Sequence, residues 1–165
     1  MLRAALVALA LMALSARAEV PLPQAVAAKA PWQLVGSGQM QWFVFTVYDA
    51  ALWQAPGAQA LAIRYARSIA SATLAETTIE ELTRLGLPAA ERWRADLQEH
   101  FPDVVEGEVI VAVRQPGLGV RFYHQGRATG AIRDSAFADA FFGIWLDPRT
   151  RAPELRAALL GEAGR

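Results

Sequence analysis

The sequence predicts an α+β fold in which helices cover one face of an antiparallel sheet. Strand patterns and helix patterns are grouped along the chain instead of alternating, which is typical of this class. Apolar residues alternate with smaller ones over Val109–Val113 and repeat at four-residue spacing over Trp93–Phe101. The turn Pro116-Gly117-Leu118-Gly119 is short enough to join two neighbouring strands. It therefore indicates antiparallel pairing.

Residues 1–18 have the three parts of a secretion signal. Arg3 supplies the positive charge, Ala4–Leu14 is an apolar run, and Ala16-Arg17-Ala18 is a small-x-small cleavage pattern. A membrane anchor is disfavoured because a spanning helix needs about 20 apolar residues. We expect cleavage after Ala18, one domain over residues 19–165, and a periplasmic or secreted protein that keeps no integral membrane segment.

The composition of the 165-residue chain excludes several classes of protein. There is no cysteine, which rules out thiol catalysis, thiolate metal sites and disulfides. The 16 basic and 16 acidic residues balance, so the net charge gives no electrostatic reason to bind nucleic acid or an anionic membrane. A domain of about 150 residues buries roughly 70% of its unfolded surface and can fold without cross-links.

The first strands are predicted after a proline-containing segment. Glu19–Pro31 contains three prolines and is expected to be irregular. Trp32–Val35 and Gln41–Trp53 have the composition of strands, and Gly36-Ser37-Gly38 predicts a turn between them. In Trp42–Tyr48 both alternating sets of positions are apolar or aromatic. This pattern predicts a central strand that is covered on both faces.

The middle of the chain predicts a third strand and a helix pair. Alternation over Ala60–Ala66 favours a short strand. Thr73 and Glu76 match a capping box at the start of the first helix, and Gly86 with Pro88 ends that helix. The same proline suits the first turn of the second helix, which carries the four-residue apolar repeat.

The last third predicts a three-stranded meander followed by two helices. Its strands are Glu108–Gln115, Val120–His124 and Ala128–Ile132. Asp134 or Ser135 is the predicted cap of a helix that reaches Trp145. Pro153 opens the final amphipathic helix, which Gly161 closes.

Familiar catalytic and metal-binding patterns are missing from the sequence. Gly36-Ser37-Gly38 would need a glycine in place of Val35 to form a nucleophile elbow, and no Gly-Lys-Ser/Thr follows it. His100 and His124 belong to no H-x-H or H-E-x-x-H pattern. The aspartates at element ends fit caps and turns: Asp49, Asp103, Asp134 and Asp147. We expect no catalytic residue, metal site or cofactor.

Three stretches together resemble a known family. They are Gly36-Ser37-Gly38 with Phe43–Trp53, Phe101–Val104, and Phe137–Leu146 running into Pro153–Gly161. The combination is similar to the exported bacterial branch of the chalcone isomerase-like proteins. The likeness extends over nearly all of the chain after the predicted signal.

The resemblance implies an open-faced β-sandwich, in which a large antiparallel sheet is layered against helices with a cleft between the layers. Plant enzymes of the family close a flavanone ring, using a sheet-borne arginine and hydroxyl groups to hold the phenoxide and polarise the ketone. Other members lack this activity and bind fatty acids in the same cleft, where arginine and tyrosine hold the carboxylate.

This chain departs from the enzymes at their polar positions. Gln39-Met40-Gln41 stands where the family has its arginine, Phe43 replaces a threonine, and Gly143-Ile144 replaces a hydroxyl residue. Loss of one preorganised donor typically lowers the rate about 100- to 1,000-fold, so efficient cyclisation is not expected. Tyr48 is retained.

The favoured hypothesis is a non-catalytic periplasmic module that binds a small apolar or amphipathic molecule, such as a fatty acid. Its predicted ligand-binding residues are Trp42, Tyr48, Arg64 and Trp145. Arg64 or Arg67 replaces the missing arginine in this hypothesis. Two alternatives stay open: an intramolecular lyase or isomerase of chalcone isomerase type with a rearranged donor set, and a structural envelope protein whose aromatic surface meets a protein partner.

Overall fold

A computed structural model describes residues 19–163, so the predicted signal peptide lies outside the described residues. Six strands form one sheet in the order of the chain. The strands are β1 Gln33–Trp42, β2 Phe45–Ala55, β3 Ala58–Tyr65, β4 Val109–Gln115, β5 Gly119–His124 and β6 Arg127–Ile132. All neighbouring pairs are antiparallel, which confirms the predicted α+β architecture.

Helices pack on one face of this sheet and enclose the main core. On this face lie α2 Ser71–Arg84, α3 Arg94–His100, α4 Ser135–Leu146 and α5 Pro153–Leu159, with a 3-10 helix over Pro88–Trp93, whereas the short helix α1 Gln24–Ala27 lies on the other face. Alternation along β3 turns Leu61, Ile63 and Tyr65 toward this face. Phenylalanine rings fill the layer between sheet and helices: Phe122 lies 5.4 Å from Phe141, measured between ring centroids.

The opposite face of the sheet is covered in part by the N-terminal segment. Val20 and Val26 are buried against the alanines of β2 and β3 that point away from the helices. Trp53 Nε1 donates a hydrogen bond to the Val20 carbonyl at 3.1 Å. The expectation of an irregular segment is therefore incomplete, because the short helix α1 forms where its apolar residues meet the sheet.

The prediction of a turn at Gly36-Ser37-Gly38 is wrong, because these residues lie inside β1. The glycines are needed for close packing and not for a turn. A Cβ at position 36 would lie 2.1 Å from the Ala158 carbonyl oxygen, and one at position 38 would lie 2.9 Å from the Ala158 Cβ. Helix α5 can therefore approach this strand only where side chains are absent.

The prediction that Trp42–Tyr48 forms a central, doubly covered strand is also wrong. Its first residues make the turn between β1 and β2, where Phe43 adopts φ 55°. Strand β2 pairs with β3 only from Tyr48 onward, so the start of the hairpin projects beyond the sheet. Phe43 and Val44 are 84% and 86% exposed.

Two helix starts show where local signals succeed and fail. Asp134 caps α4 as predicted, since its Oδ1 accepts from the backbone N–H groups of Ala136 and Phe137. The predicted capping box of α2 is wrong, because the helix begins at Ser71, before Thr73. The Ser71 N–H instead donates a hydrogen bond of 2.8 Å to Oδ1 of Asp103, a residue from a loop that is distant in sequence.

No helix within residues 19–163 is long and apolar enough to cross a membrane.

Candidate functional site

A cavity of about 700 Å³ lies between the sheet and its helical cover. Ligand pockets in proteins usually measure about 300–1,000 Å³. The floor consists of side chains from β1 to β4, and the roof consists of α2, α4 and the segment after α4. The residues that matter for its chemistry are Met40, Trp42, Tyr48, Leu61, Ile63, Tyr65, Arg67, Leu74, Thr78, Glu81, Ile110, Ala112, Phe141, Ile144, Trp145 and Arg151.

The floor is apolar because alternate residues of β3 and β4 face the same side. Leu61 and Ile63 face the cavity from β3, and Ile110 and Ala112 face it from β4. Phe141 and Ile144 contribute the opposite wall from α4. An apolar lining of this size favours a hydrocarbon-rich guest, because burial of apolar surface contributes about 25 cal/mol per Å².

Two tyrosines bring hydroxyl groups to the cavity. Tyr48 Oη accepts a hydrogen bond from Trp145 Nε1 at 2.8 Å, and this bond links β2 to α4. Burial raises the pKa of Tyr48 to about 12. Burial also raises the pKa of Tyr65, whose ring centroid lies 6.1 Å from that of Tyr48. Both phenols therefore stay neutral at physiological pH and can donate hydrogen bonds.

Charged side chains lie at the rim of the cavity. Arg151 Nε pairs with Glu81 Oε1 at 2.8 Å, and Arg84 pairs with the same carboxylate. The Arg67 guanidinium lies 6.0 Å from the centroid of the Phe45 ring. Within the described part of the chain, Arg67 forms no ion pair. Of the rim cations, Arg67 is therefore the one available to an anionic group.

Three of the four predicted ligand-binding residues line this cavity. They are Trp42, Tyr48 and Trp145. Arg64 does not, because alternation along β3 places it on the face opposite to Ile63. Its Nη2 pairs with Asp49 Oδ2 at 2.8 Å. The strand ends at Tyr65, so Arg67 leaves the alternation and reaches the rim.

The sequence interpretation missed Tyr65, Glu81 and Arg151. Tyr65 carried a signal, because it continues the alternation of Leu61 and Ile63. No sequence pattern pointed to Glu81 or Arg151. They come from a helix and a distant loop, and only the packing of these elements brings them to one rim.

The positions at which the resemblance predicts a departure from the enzymes supply no hydrogen-bonding side chain to the cavity. Met40 and Ile144 line it with apolar atoms. Gln39 points elsewhere and donates to Asp49 Oδ1 at 2.7 Å. Phe43 lies at the exposed turn of the hairpin. The polar side chains that line the cavity therefore come from other positions: the tyrosines, the arginines and Glu81 described above, with the hydroxyls of Ser68, Thr73, Thr77, Thr78 and Thr150.

A group with metal-ligand chemistry lies away from the cavity. Side chains of Asp96, Glu99 and His100 on α3 bring ligand atoms within 4.8 Å of one another. Glu99 is exposed, and all three residues belong to one short helix. Acidic groups of this kind are common on protein surfaces, so the arrangement alone does not indicate an ion site.

Comparisons with known proteins agree with this architecture. An uncharacterized protein of Haemophilus influenzae strain Rd is 28% identical over 142 residues, which cover 81% of this chain and 70% of the relative. The fold is similar to the crystal structure of an Arabidopsis thaliana fatty-acid binding protein, with a TM-score of 0.62 and 8% identity over 86% of this chain and 90% of that one. This second likeness shows a common fold.

The family assignment comes from a sequence profile. The profile described as chalcone isomerase-like matches residues 15–161, which is nearly the whole chain. The match includes β1 with its two glycines, the cavity and the closing helix α5. This protein therefore belongs to the chalcone isomerase-like family.

Proposed function

We propose that this protein binds a small amphipathic molecule with a hydrocarbon tail, such as a fatty acid, and releases it unchanged. The observation that carries the proposal is the cavity of about 700 Å³ with an apolar floor and a polar rim. Such a cavity buries a hydrocarbon tail between Ile63 and Phe141 while the polar end of the molecule reaches Arg67.

The polar groups suit a carboxylate. A guanidinium recognises a carboxylate through two parallel hydrogen bonds, and a neutral phenol can add a third. Arg67, Tyr48 and Tyr65 supply these two kinds of donor to the same cavity. The fold shared with a protein named as fatty-acid binding supports the same class of ligand.

The absence of reaction is part of the proposal. Ring closure needs donors that stabilise a developing oxyanion, and each missing donor lowers the rate about 100- to 1,000-fold. By the resemblance drawn from the sequence, Met40 and Ile144 stand near positions where the enzymes have polar groups, and both bring apolar side chains to the cavity. We also propose a periplasmic or secreted location, on the basis of the signal pattern of residues 1–18.

Calorimetry of the delipidated mature protein tests the binding function. Titration with fatty acids of increasing chain length is expected to show saturable binding at one site, with affinity rising as more methylene groups are buried. Native mass spectrometry of the protein as purified identifies any molecule that travels with it. Flat calorimetry across all chain lengths would contradict the proposal.

A chalcone assay tests the non-catalytic part separately. The absorbance of a chalcone is expected to stay constant at high protein concentration, beyond the uncatalysed background. Turnover that disappears in Tyr48→Phe would replace the binding function with the lyase or isomerase alternative.

A further inference from the structure

The turn between β1 and β2 exposes an apolar surface, and of its residues only Trp42 also lines the proposed ligand cavity. We call Trp42–Phe45 the hairpin tip. Its side chains are 60%, 84%, 86% and 59% exposed in chain order. The other large exposed apolar residues within 19–163 are single and separated: Leu34, Val105 and Leu118. Scattered apolar residues are ordinary on protein surfaces, whereas a cluster indicates an interaction site.

The hairpin tip also has residue types that are unusual for a two-residue turn. Two-residue hairpin turns favour glycine, asparagine or aspartate. Here Phe43 and Val44 hold the two turn positions, and Phe43 has a φ of 55°. A bulky residue in the left-handed region costs about 1–2 kcal/mol. Phe43 stays exposed apart from an edge-to-face contact with Trp42 at 5.4 Å between ring centroids, so burial in the core does not account for this conformation.

The hairpin tip borders the mouth of the cavity. Trp42 belongs both to the tip and to the cavity lining, and Arg67 lies over Phe45 while also lining the rim. A surface docked on the tip would therefore face the opening through which a ligand passes.

We propose that the hairpin tip inserts into the interfacial region of a phospholipid bilayer, with Arg67 beside a lipid phosphate, so that the cavity opens toward the membrane. Tryptophan and phenylalanine are favoured at this depth, and arginine on the same edge complements the phosphate. The inference builds on the proposed ligand cavity, because a molecule with a long hydrocarbon tail resides mainly in membranes.

A second copy of the chain fits the hairpin tip less well. Aromatic side chains contribute about 150–250 Å² each, so the three partly exposed aromatic residues, together with the smaller Val44, offer on the order of 500 Å². A stable protein interface needs roughly 800 Å² per partner. The tip is a convex turn, and a fluid bilayer can close around it without a complementary groove.

Labelled single-cysteine variants test the insertion, since the natural chain has no cysteine. Val44→Cys carries an environment-sensitive dye at the tip, and Leu118→Cys carries the same dye at the exposed β4–β5 turn. With vesicles of phosphatidylethanolamine and phosphatidylglycerol, the dye at position 44 is expected to shift to the blue and resist an aqueous quencher. The dye at position 118 is expected to stay unchanged. No response at position 44 would overturn the proposal.

Vesicle co-sedimentation of unlabelled variants provides the second measurement. Phe43→Ser with Val44→Ser is expected to weaken partitioning about ten-fold or more, because burial of each large side chain is lost. Leu118→Ser is the matched control and is expected to partition like the natural protein. Arg67→Gln is expected to weaken binding about five-fold on phosphatidylglycerol vesicles, in line with one lost basic contact. Equal binding by the tip variant and the natural protein would contradict insertion.

Two further readouts separate the possible failures. The tip variant is expected to keep its fatty-acid affinity in vesicle-free solution, because Phe43 and Val44 do not line the cavity. Fatty-acid binding without vesicle binding would overturn only the insertion, and the reverse would overturn only the proposed function. A concentration-dependent dimer that disappears in the tip variant would identify a second copy as the occupant and would overturn the membrane proposal.

Discussion

The Trp145 indole donates a 2.8 Å hydrogen bond to the Tyr48 hydroxyl and so connects helix α4 to strand β2 across one end of the cavity. Both residues are half-buried and both line the cavity wall. The bond holds the two layers in register and leaves the phenolic proton of Tyr48 available to a ligand. Structure and proposed binding therefore depend on the same pair.

Removal of the Tyr48 hydroxyl tests this link. Tyr48→Phe leaves Trp145 Nε1 without its acceptor, and we expect the free energy of unfolding to fall by about 1 kcal/mol. Fatty-acid affinity is also expected to fall. Tyr123→Phe is the control, because its hydroxyl accepts from Lys29 Nζ on the other face of the sheet. Urea denaturation and calorimetry measure both effects. If Tyr48→Phe lowers the free energy of unfolding by the same amount in Trp145→Phe as in the natural protein, the two residues are not coupled.

Substitution of Arg67 tests recognition of a carboxylate. Arg67→Gln is expected to weaken fatty-acid binding about 10- to 100-fold, because a hydrogen bond to a charged group contributes about 1.5–3 kcal/mol. Binding of a fatty alcohol of the same length is expected to change little. Arg64→Gln is the matched control, since Arg64 pairs with Asp49 outside the cavity. Equal losses for acid and alcohol would contradict a role for Arg67 in charge recognition.

Paired glycine substitutions test the close approach of α5 to β1. In Gly36→Ala the new Cβ meets the Ala158 carbonyl oxygen, and overpacking of this kind lowers stability by about 1–3 kcal/mol. In Gly143→Ala the closest heavy atom is the Asp147 Cβ at 3.9 Å, and the helix gains up to about 1 kcal/mol. The urea midpoint is expected to fall in Gly36→Ala and to rise in Gly143→Ala. An unchanged urea midpoint in Gly36→Ala would show that the packing of α5 on β1 does not require a residue without a side chain at position 36.

The cap of α4 predicts a dependence of stability on acid. The Asp134 carboxylate accepts from Trp93 Nε1 at 2.9 Å and from backbone N–H groups of α4, which lowers the pKa of Asp134. A lowered folded-state pKa means that this stabilisation is present above the ordinary value of 3.8 and is lost as pH falls through the folded value.

Asp134→Asn measures that dependence. Asparagine keeps an acceptor for the cap but cannot ionise, so the difference in unfolding free energy between the natural protein and the variant is expected to shrink in acid. Urea midpoints at neutral pH and below the ordinary aspartate pKa give the two values. Parallel pH profiles for the two proteins would contradict this assignment.

Local signals predicted the elements whose causes are near in sequence. The Asp134 cap is correct because both backbone donors lie within three residues of the carboxylate. The meander from β4 to β6 is correct because short turns join strands of period two. The glycines of β1 were misassigned as a turn, since their cause is a carbonyl on α5 at the other end of the chain.

The candidate site was predicted only in part for the same reason. Trp42, Tyr48 and Trp145 line the cavity, but the choice between Arg64 and Arg67 depended on where β3 ends. Inside the strand, alternation turns Arg64 away from the helices. Beyond Tyr65 the constraint is gone, and Arg67 folds back over the hairpin tip.

The sequence by itself determined the class of fold, the strand and helix composition, and the aromatic and apolar residues available to a cavity. Periodicity and turn chemistry are local properties, so they can be recognised without coordinates. Only the tertiary structure decided that Glu81 and Arg151 share a rim, that Arg67 and not Arg64 reaches it, and that Trp42–Phe45 stays exposed. These outcomes depend on which distant surfaces pack together, and residue spacing along one chain does not specify such contacts.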